Sequence, residues 1–228
     1  MIHETAEQKI ANLKTGTTTV GLITATGVVL GADMRASMGN IAYDEESEKI
    51  YKITDNIAVT NAGNVGDSLT IIRYLKSQAR LYEIERDEKM PLKAASTLLS
   101  NILNGNRYYP YIVQLIIGGL NNKPEIFEVG PFGGAIERRQ YAVTGSGTDY
   151  ALTTLDHFYK DGMNEDEGIK LAIKAVAAGK RRDIYSGGIS VTIAVIDKNG
   201  VRMLSQEEIL AHKEEMDKQK TSSAPKKK

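Results

Sequence analysis

The order of strand-like and helix-like patterns restricts the fold of this chain more than any other feature. Two β-branched and apolar runs, TTTVGLITA and GVVLGAD, come first, and Thr26-Gly27 between them reads as a hairpin. Past a Gly39-Asn40 turn, KIYKIT and NIAVTNAG read as further strands separated at Asp55-Asn56. The period then changes. Between 63 and 110, Val65, Leu69, Ile72, Leu75, Ala79 and Tyr82 recur at three- and four-residue steps as one helical face. Pro91 suits the first turn of a second helix, with Leu92, Ala95, Leu99 and Ile102 on its inner side. Strand patterns return over 111–146 as YIVQLIIGG, PEIFEVG and RRQYAVTGSG. Two helices follow, 148–160 and 164–182, the second opening on Asn164 and Glu167 in the spacing of a capping box. GISVTIAVI, the turn Lys198-Asn199-Gly200 and VRML complete the series before a short helix from Ser205.

A parallel βαβ chain would alternate its elements one by one, whereas here they come in blocks. The expectation is an α+β fold, a four-layer αββα sandwich of two antiparallel sheets flanked by helices. The 228 residues suit one large domain. Residues 1–16 read as a polar leader ending in Thr15-Gly16, 17–210 as the folded domain, and 211–228, with its run KQKTSSAPKKK, as a polar, disordered tail.

Composition removes several function classes. There is no cysteine, which excludes disulfides, thiolate metal sites and a cysteine nucleophile. The three histidines are His3 in the leader, His212 in a charged C-terminal segment, and His157 in a helical stretch beside Phe158, where it reads as structural. A histidine-based triad or metal centre is therefore not expected, nor any cofactor. Formal net charge is zero, so nothing in the bulk electrostatics recruits nucleic acid. No apolar run approaches the ~20 residues of a membrane span, and the polar N-terminus lacks the apolar core of a secretory signal. A soluble, cytoplasmic protein is expected.

Without histidine or cysteine, a nucleophilic hydrolase has few options, and one is an N-terminal threonine whose own α-amine serves as base. Gly16-Thr17 joins the leader to the first strand, and three threonines begin there. Taken alone, the pair reads first as a flexible leader before a β-branched strand, and only second as a self-cleaving junction. Asp33 and Lys49 alone read as a surface ion pair, and Gly63 as a strand-to-helix turn.

Taken together, TTTVGL, GADMRAS, a lysine sixteen residues beyond Asp33, NAGNVGD, TGSG and RRDIYSGG occur in an order and spacing that resembles an archaeal-type proteasome β subunit over roughly residues 15–210. The resemblance implies the N-terminal nucleophile hydrolase fold and a threonine endopeptidase made as a precursor, with Gly16 as the processing residue. It makes Thr17 the nucleophile, Lys49 the cation that lowers the pKa of the freed amine, and Asp33 the partner of Lys49. Gly63 becomes the oxyanion donor beside a helix N-terminus. Ser146, Asp183 and Ser186 become the residues that hold the threonine amine and its water.

The same resemblance implies a peptide bound extended between strand edges, touched by Ser37, Gly63 and Val65. Its side-chain pocket would be formed by Ala36, Tyr51, Asn61 and Val65. Asn61 stands where archaeal subunits commonly carry an apolar residue, so a strictly apolar preference is not implied. Expected partners are homo- or hetero-heptameric β rings stacked with α-type rings, unfolded polypeptide as substrate, and an ATP-dependent regulator acting through the α rings. Two alternatives stay open at this point: a non-catalytic ring subunit of the same fold, and the bacterial HslV-type peptidase.

Overall fold

The computed structural model describes residues 16–223, with the side chains of 219–223 left aside. The leader expected over 1–16 lies outside the described residues except for Gly16.

Twelve strands and five helices are described. The first sheet contains β1 (Thr19–Ile23), β2 (Val28–Asp33), β10 (Tyr141–Thr144), β11 (Val191–Asp197) and β12 (Gly200–Met203), in the order β10-β1-β2-β11-β12. The second is β5 (Ile50–Lys52), β6 (Ile57–Gly63), β7 (Val113–Leu120), β8 (Pro124–Val129) and β9 (Ala135–Arg138), in sequence order. Every pairing is antiparallel. A separate hairpin, β3 (Ala36–Met38) with β4 (Ile41–Asp44), turns at Gly39, as the Gly39-Asn40 signal predicts. The helices are α1 (Val65–Arg86), α2 (Leu92–Gly105), α3 (Thr148–Phe158), α4 (Glu165–Arg182) and α5 (Gln206–Ser223).

Three apolar clusters define four layers. One lies between the first sheet and α3, α4 and α5, around Val20, Leu22, Leu155, Ile169 and Val176. A second lies between the other sheet and α1 and α2, around Ile57, Val59, Leu75, Leu99 and Leu115. The third, with Val28, Leu30, Ile50, Ile116 and Ile126, fills the space between the sheets. This is the αββα sandwich expected from the block order. Strand β2 is buried on both faces, which is why VVLGAD reads as a continuous apolar run and not as an alternation.

Several local expectations change. The run RRQYAVTGSG breaks at Arg139-Gln140, so that β9 edges one sheet and β10 edges the other. On α1, Val65 and Leu69 are exposed, and the buried face is Ser68, Ile71, Ile72, Leu75 and Ala79. On α2, Leu103 completes the buried row while Ile102 is only half-buried. Asn164 and Glu167 do form the capping box.

The tail expected to be disordered from 211 is instead helical through Ser223, as part of α5. Side-chain pairing and packing hold it where its own polarity gave no apolar stripe: Lys170 reaches Glu215 at 2.7 Å, His212 Nδ1 lies 3.1 Å from Asp166, and Met216 packs on the core.

Ile116 is fully buried between the sheets, so Ile116→Ala should leave a cavity that two flanked sheets cannot close. A loss of about 2–5 kcal/mol in unfolding free energy is expected, read as a lowered denaturant midpoint at unchanged slope.

Candidate active site

The site forms where the first sheet begins. Gly16, Thr17 and Thr18 precede β1, Asp33 ends β2, and Lys49 stands just before β5, so strands from both sheets deliver their ends to one point. Asp33 has no exposed surface, and Thr17 and Lys49 are each about 4% exposed.

Asp33 is met by four donors. Oδ1 accepts from the Thr18 amide at 2.9 Å and from Lys49 Nζ at 2.8 Å. Oδ2 accepts from the Gly187 amide at 2.8 Å and the Arg35 amide at 3.2 Å. A carboxylate has about four lone-pair sites, so this one is saturated. Lys49 Nζ also lies 3.1 Å from Thr17 Oγ1. Burial lowers the Lys49 pKa below 10.5, and the Asp33 charge and hydrogen bond only partly offset this.

Thr17 is bonded at every polar atom. Its hydroxyl donates to the Gly16 carbonyl at 2.6 Å, the oxygen of the peptide bond that precedes it. Its amide donates to Ser146 Oγ at 3.1 Å. Its carbonyl accepts from the Gly147 amide at 3.2 Å. Ser146 and Ser186 both give their hydroxyl protons to Asp183 Oδ2, and Ser186 Oγ is 2.7 Å from Thr18 Oγ1. Ser146, Asp183 and Ser186 are thus brought together on Thr17 and Thr18 from segments far apart in sequence.

Gly63 ends β6 with φ +127, and a Cβ there would stand 2.1 Å from the Ile112 carbonyl. Asn61 donates its amide to Lys49 O on the β5 side, and Asn64 donates to Ile112 O on the β7 side. Alternation therefore turns the Gly63 N–H toward the β5 side of the strand, and Gly63 shares a cavity wall with Thr17. Helix α1 begins at the next turn, where Asn64 caps it by accepting from Asp67.

These groups open onto a cavity of about 510 Å³ whose lining includes Gly16, Thr17, Lys49 and Gly63. Of the residues expected to contact substrate, Ala36, Ser37, Asn61 and Val65 line it. Tyr51 does not. Its ring packs against the core under α1 and α2, and its hydroxyl donates to Glu48 O at 2.7 Å. Ser37 Oγ is engaged by the Tyr185 carbonyl at 2.9 Å. The Asn61 amide is met by Ser68 Oγ on α1.

Several participants were not read from the sequence. Gly187 and Arg35 act on Asp33 through backbone amides, which no side-chain identity announces. Gly145 is required because a Cβ, at φ +97, would lie 2.1 Å from the Thr17 carbonyl. A side chain at position 16 would overlap Tyr185, whose Cβ is 1.5 Å from where a Cβ would stand.

A buried threonine hydroxyl beside a lysine-carboxylate pair thus sits at the entry to the first sheet of an αββα sandwich. The proteasome subunit family model matches residues 13–196. A proteasome subunit beta of Methanocaldococcus vulcanius is 47% identical over 196 residues, 85% of this chain and 87% of that protein. One from Picrophilus torridus is 44% identical over 200 residues, covering 87% and 94%. The proteasome subunit beta 2 of Pyrococcus furiosus is 44% identical over 187 residues, covering 82% and 90%. The chain belongs to the proteasome subunit family, and all three of these relatives are β subunits. Among the described residues, no helix is long and apolar enough to cross a membrane.

Because the folded state holds the Lys49 proton less tightly than the unfolded chain, stability attributable to this group rises with pH. Wild type should gain stability relative to Lys49→Met as pH climbs through the lowered folded pKa, with the gain complete above 10.5. Denaturant titrations of both proteins at a series of pH values check the sign.

Proposed function

We propose that the chain is a catalytic threonine peptidase of a cytoplasmic proteasome core, activated by cleavage of its own Gly16–Thr17 bond. The observation that carries this is the Thr17 hydroxyl, 2.6 Å from the oxygen of its own preceding peptide and 3.1 Å from a buried ammonium.

Self-cleavage starts with addition of Thr17 Oγ to the Gly16 carbonyl carbon. The C–N bond then breaks, the nitrogen takes the proton lost by the hydroxyl, and the Gly16 acyl group becomes an ester of Thr17. Water hydrolyses the ester, releasing the leader as an acid and leaving a free α-amine. In peptide hydrolysis that amine accepts the Thr17 hydroxyl proton and passes it to the departing amine of the substrate. An unperturbed α-amine titrates near ~8, and the neighbouring Lys49 charge lowers it further. Asp33 keeps Lys49 charged and placed. The Gly63 N–H is the donor for the developing oxyanion, a contribution typically worth ~3 kcal/mol. Ser146, Asp183 and Ser186 orient the amine.

The substrate on this reading is unfolded polypeptide, held extended along the cavity. The particle is β rings stacked with α-type rings, reached by an ATP-dependent regulator. A non-catalytic ring subunit would not need a threonine, lysine and carboxylate kept in hydrogen-bond contact.

Thr17→Ala should assemble, retain residues 1–16 and show no peptide hydrolysis, a loss of at least ~10³-fold. Intact mass and fluorogenic peptide assays on assembled particles test both halves, and an active particle that still carries its leader would overturn the reading.

Asn61 supports a second, finer proposal. With Ser68 on one end of its amide, the rest of that polar group faces the cavity, so large apolar side chains meet a hydrated floor. Asn61→Ile should raise kcat/KM after large apolar residues relative to polar ones, by ~1–3 kcal/mol per mismatch. Paired peptides differing at that one residue provide the measurement, and an unchanged ratio removes Asn61 from the pocket.

A further inference from the structure

The segment 183–190, between α4 and β11, has no regular secondary structure, yet it supplies three of the groups at the site. Asp183 accepts from Ser146 and Ser186, Ser186 meets Thr18, and the Gly187 amide donates to Asp33. Helix and strand geometry do not place these atoms, so contacts from neighbouring segments do, among them the Met34 amide on the Gly187 carbonyl at 3.1 Å. Arg35 Nη1 reaches the Ser186 carbonyl only at 3.5 Å, while the Ile189 amide donates to Glu45 O at 3.1 Å.

The shortest contacts to the loop's carbonyls come from Lys180, on the last turn of α4. Its Nζ donates to the Gly188 carbonyl at 2.8 Å and to the Ser190 carbonyl at 2.6 Å, closing the loop back on the helix that launches it. Gly188 has φ +93, and a Cβ there would stand 2.7 Å from Met34, so the backbone passes tightly at the point where Lys180 grips it. The ammonium is half-buried, and burial, followed by the charge of Lys213, lowers its pKa. Lys213 lies at the same spot, 3.4 Å from Ser190 Oγ. A lysine kept half-buried next to a like charge is an unfavourable choice for packing alone. It is a reasonable one for a cation that must bring two carbonyls to a fixed separation.

We infer that Lys180 is a positioning residue for the threonine centre: by holding the Gly188 and Ser190 carbonyls it sets where Ser186 and Gly187 meet Thr18 and Asp33. The inference rests on the threonine-peptidase reading of the same site. Loss of the ammonium leaves two carbonyls without their donor, and the loop relaxes toward solvent to recover hydrogen bonds. That motion carries Ser186 and the Gly187 amide away from the atoms they orient. Of the residues expected to contact substrate, Ala36, Ser37, Asn61 and Val65 lie outside the loop; Ser37 touches it, but through the Tyr185 carbonyl, three residues before Gly188, so binding should change little.

The test is turnover per assembled particle for wild type, Lys180→Met and Lys180→Arg, with Thr17→Ala alongside. Lys180→Met retains the stem and loses both donors. Its kcat should fall about 10-fold or more with KM within ~2-fold, since small displacements at a reacting centre act on the chemical step. Lys180→Arg retains two donors and should recover most of that loss. Wild-type kcat in assembled Lys180→Met, or a raised KM at unchanged kcat, overturns the inference, because a merely structural lysine would alter thermal stability and particle yield alone. If Lys180→Met does not assemble, Lys180→Gln, with one donor site, takes its place and must show the same split. Should wild type be inactive or Thr17→Ala remain active, it is the threonine reading that fails. Failure of the Lys180 variants alone leaves that reading standing.

Discussion

A carboxylate with no exposed surface and an ammonium almost as deeply buried are costly to remove from water. Attraction between them seldom repays that cost unless the remaining lone pairs and protons are also met. Asp33 and Lys49 satisfy the condition because the chain arrives at Asp33 from four directions. Thr18 approaches from the start of β1, Arg35 from the turn after β2, Gly187 from the loop before β11, and Lys49 from the entry to β5. The ion pair is therefore less a local contact than the place where both sheets agree on their register. Thr17 inherits its position from that agreement, being one residue from an amide bonded to Asp33 and one hydrogen bond from Lys49.

Much of the architecture was legible because local patterns and packing pointed the same way. The hairpin at Thr26-Gly27, the capping box at Asn164 and the change of period after Gly63 each report a short-range cause. Sheet order does not. That β10 lies beside β1, and that β9 and β10 part company at Arg139-Gln140, follows from contacts across the whole chain. The length of α5, expected as a short helix from Ser205, was missed for a different reason. Its sequence carries no apolar stripe, and what holds it is Lys170, Asp166 and the packing of Met216.

The site divides along the same line. Only the Gly16-Thr17 junction suggested chemistry by itself, and even it read first as a leader before a strand; the roles of Asp33, Lys49 and Gly63 came from the resemblance. Resemblance, not spacing, linked Ser146, Asp183 and Ser186 to them, and the fold brings all three within hydrogen-bond reach of one another or of Thr17 and Thr18. The backbone donors of Arg35 and Gly187 had no signal to find. Tyr51, expected in the pocket, packs instead against the core beneath the helices, with its hydroxyl on the Glu48 carbonyl.

The packing of Gly16 against Tyr185 separates two histories that a self-processing enzyme must otherwise reconcile. In the proposed self-cleavage, Gly16 is the acyl residue, yet it has no side chain to send toward Asn61 or Val65. The chain's first turnover therefore never consults the part of the cavity that would discriminate among later substrates. Mutations that retune the floor of that cavity do not have to preserve maturation as well. On that reading, preference at position 61 can change while the activation step stays constant.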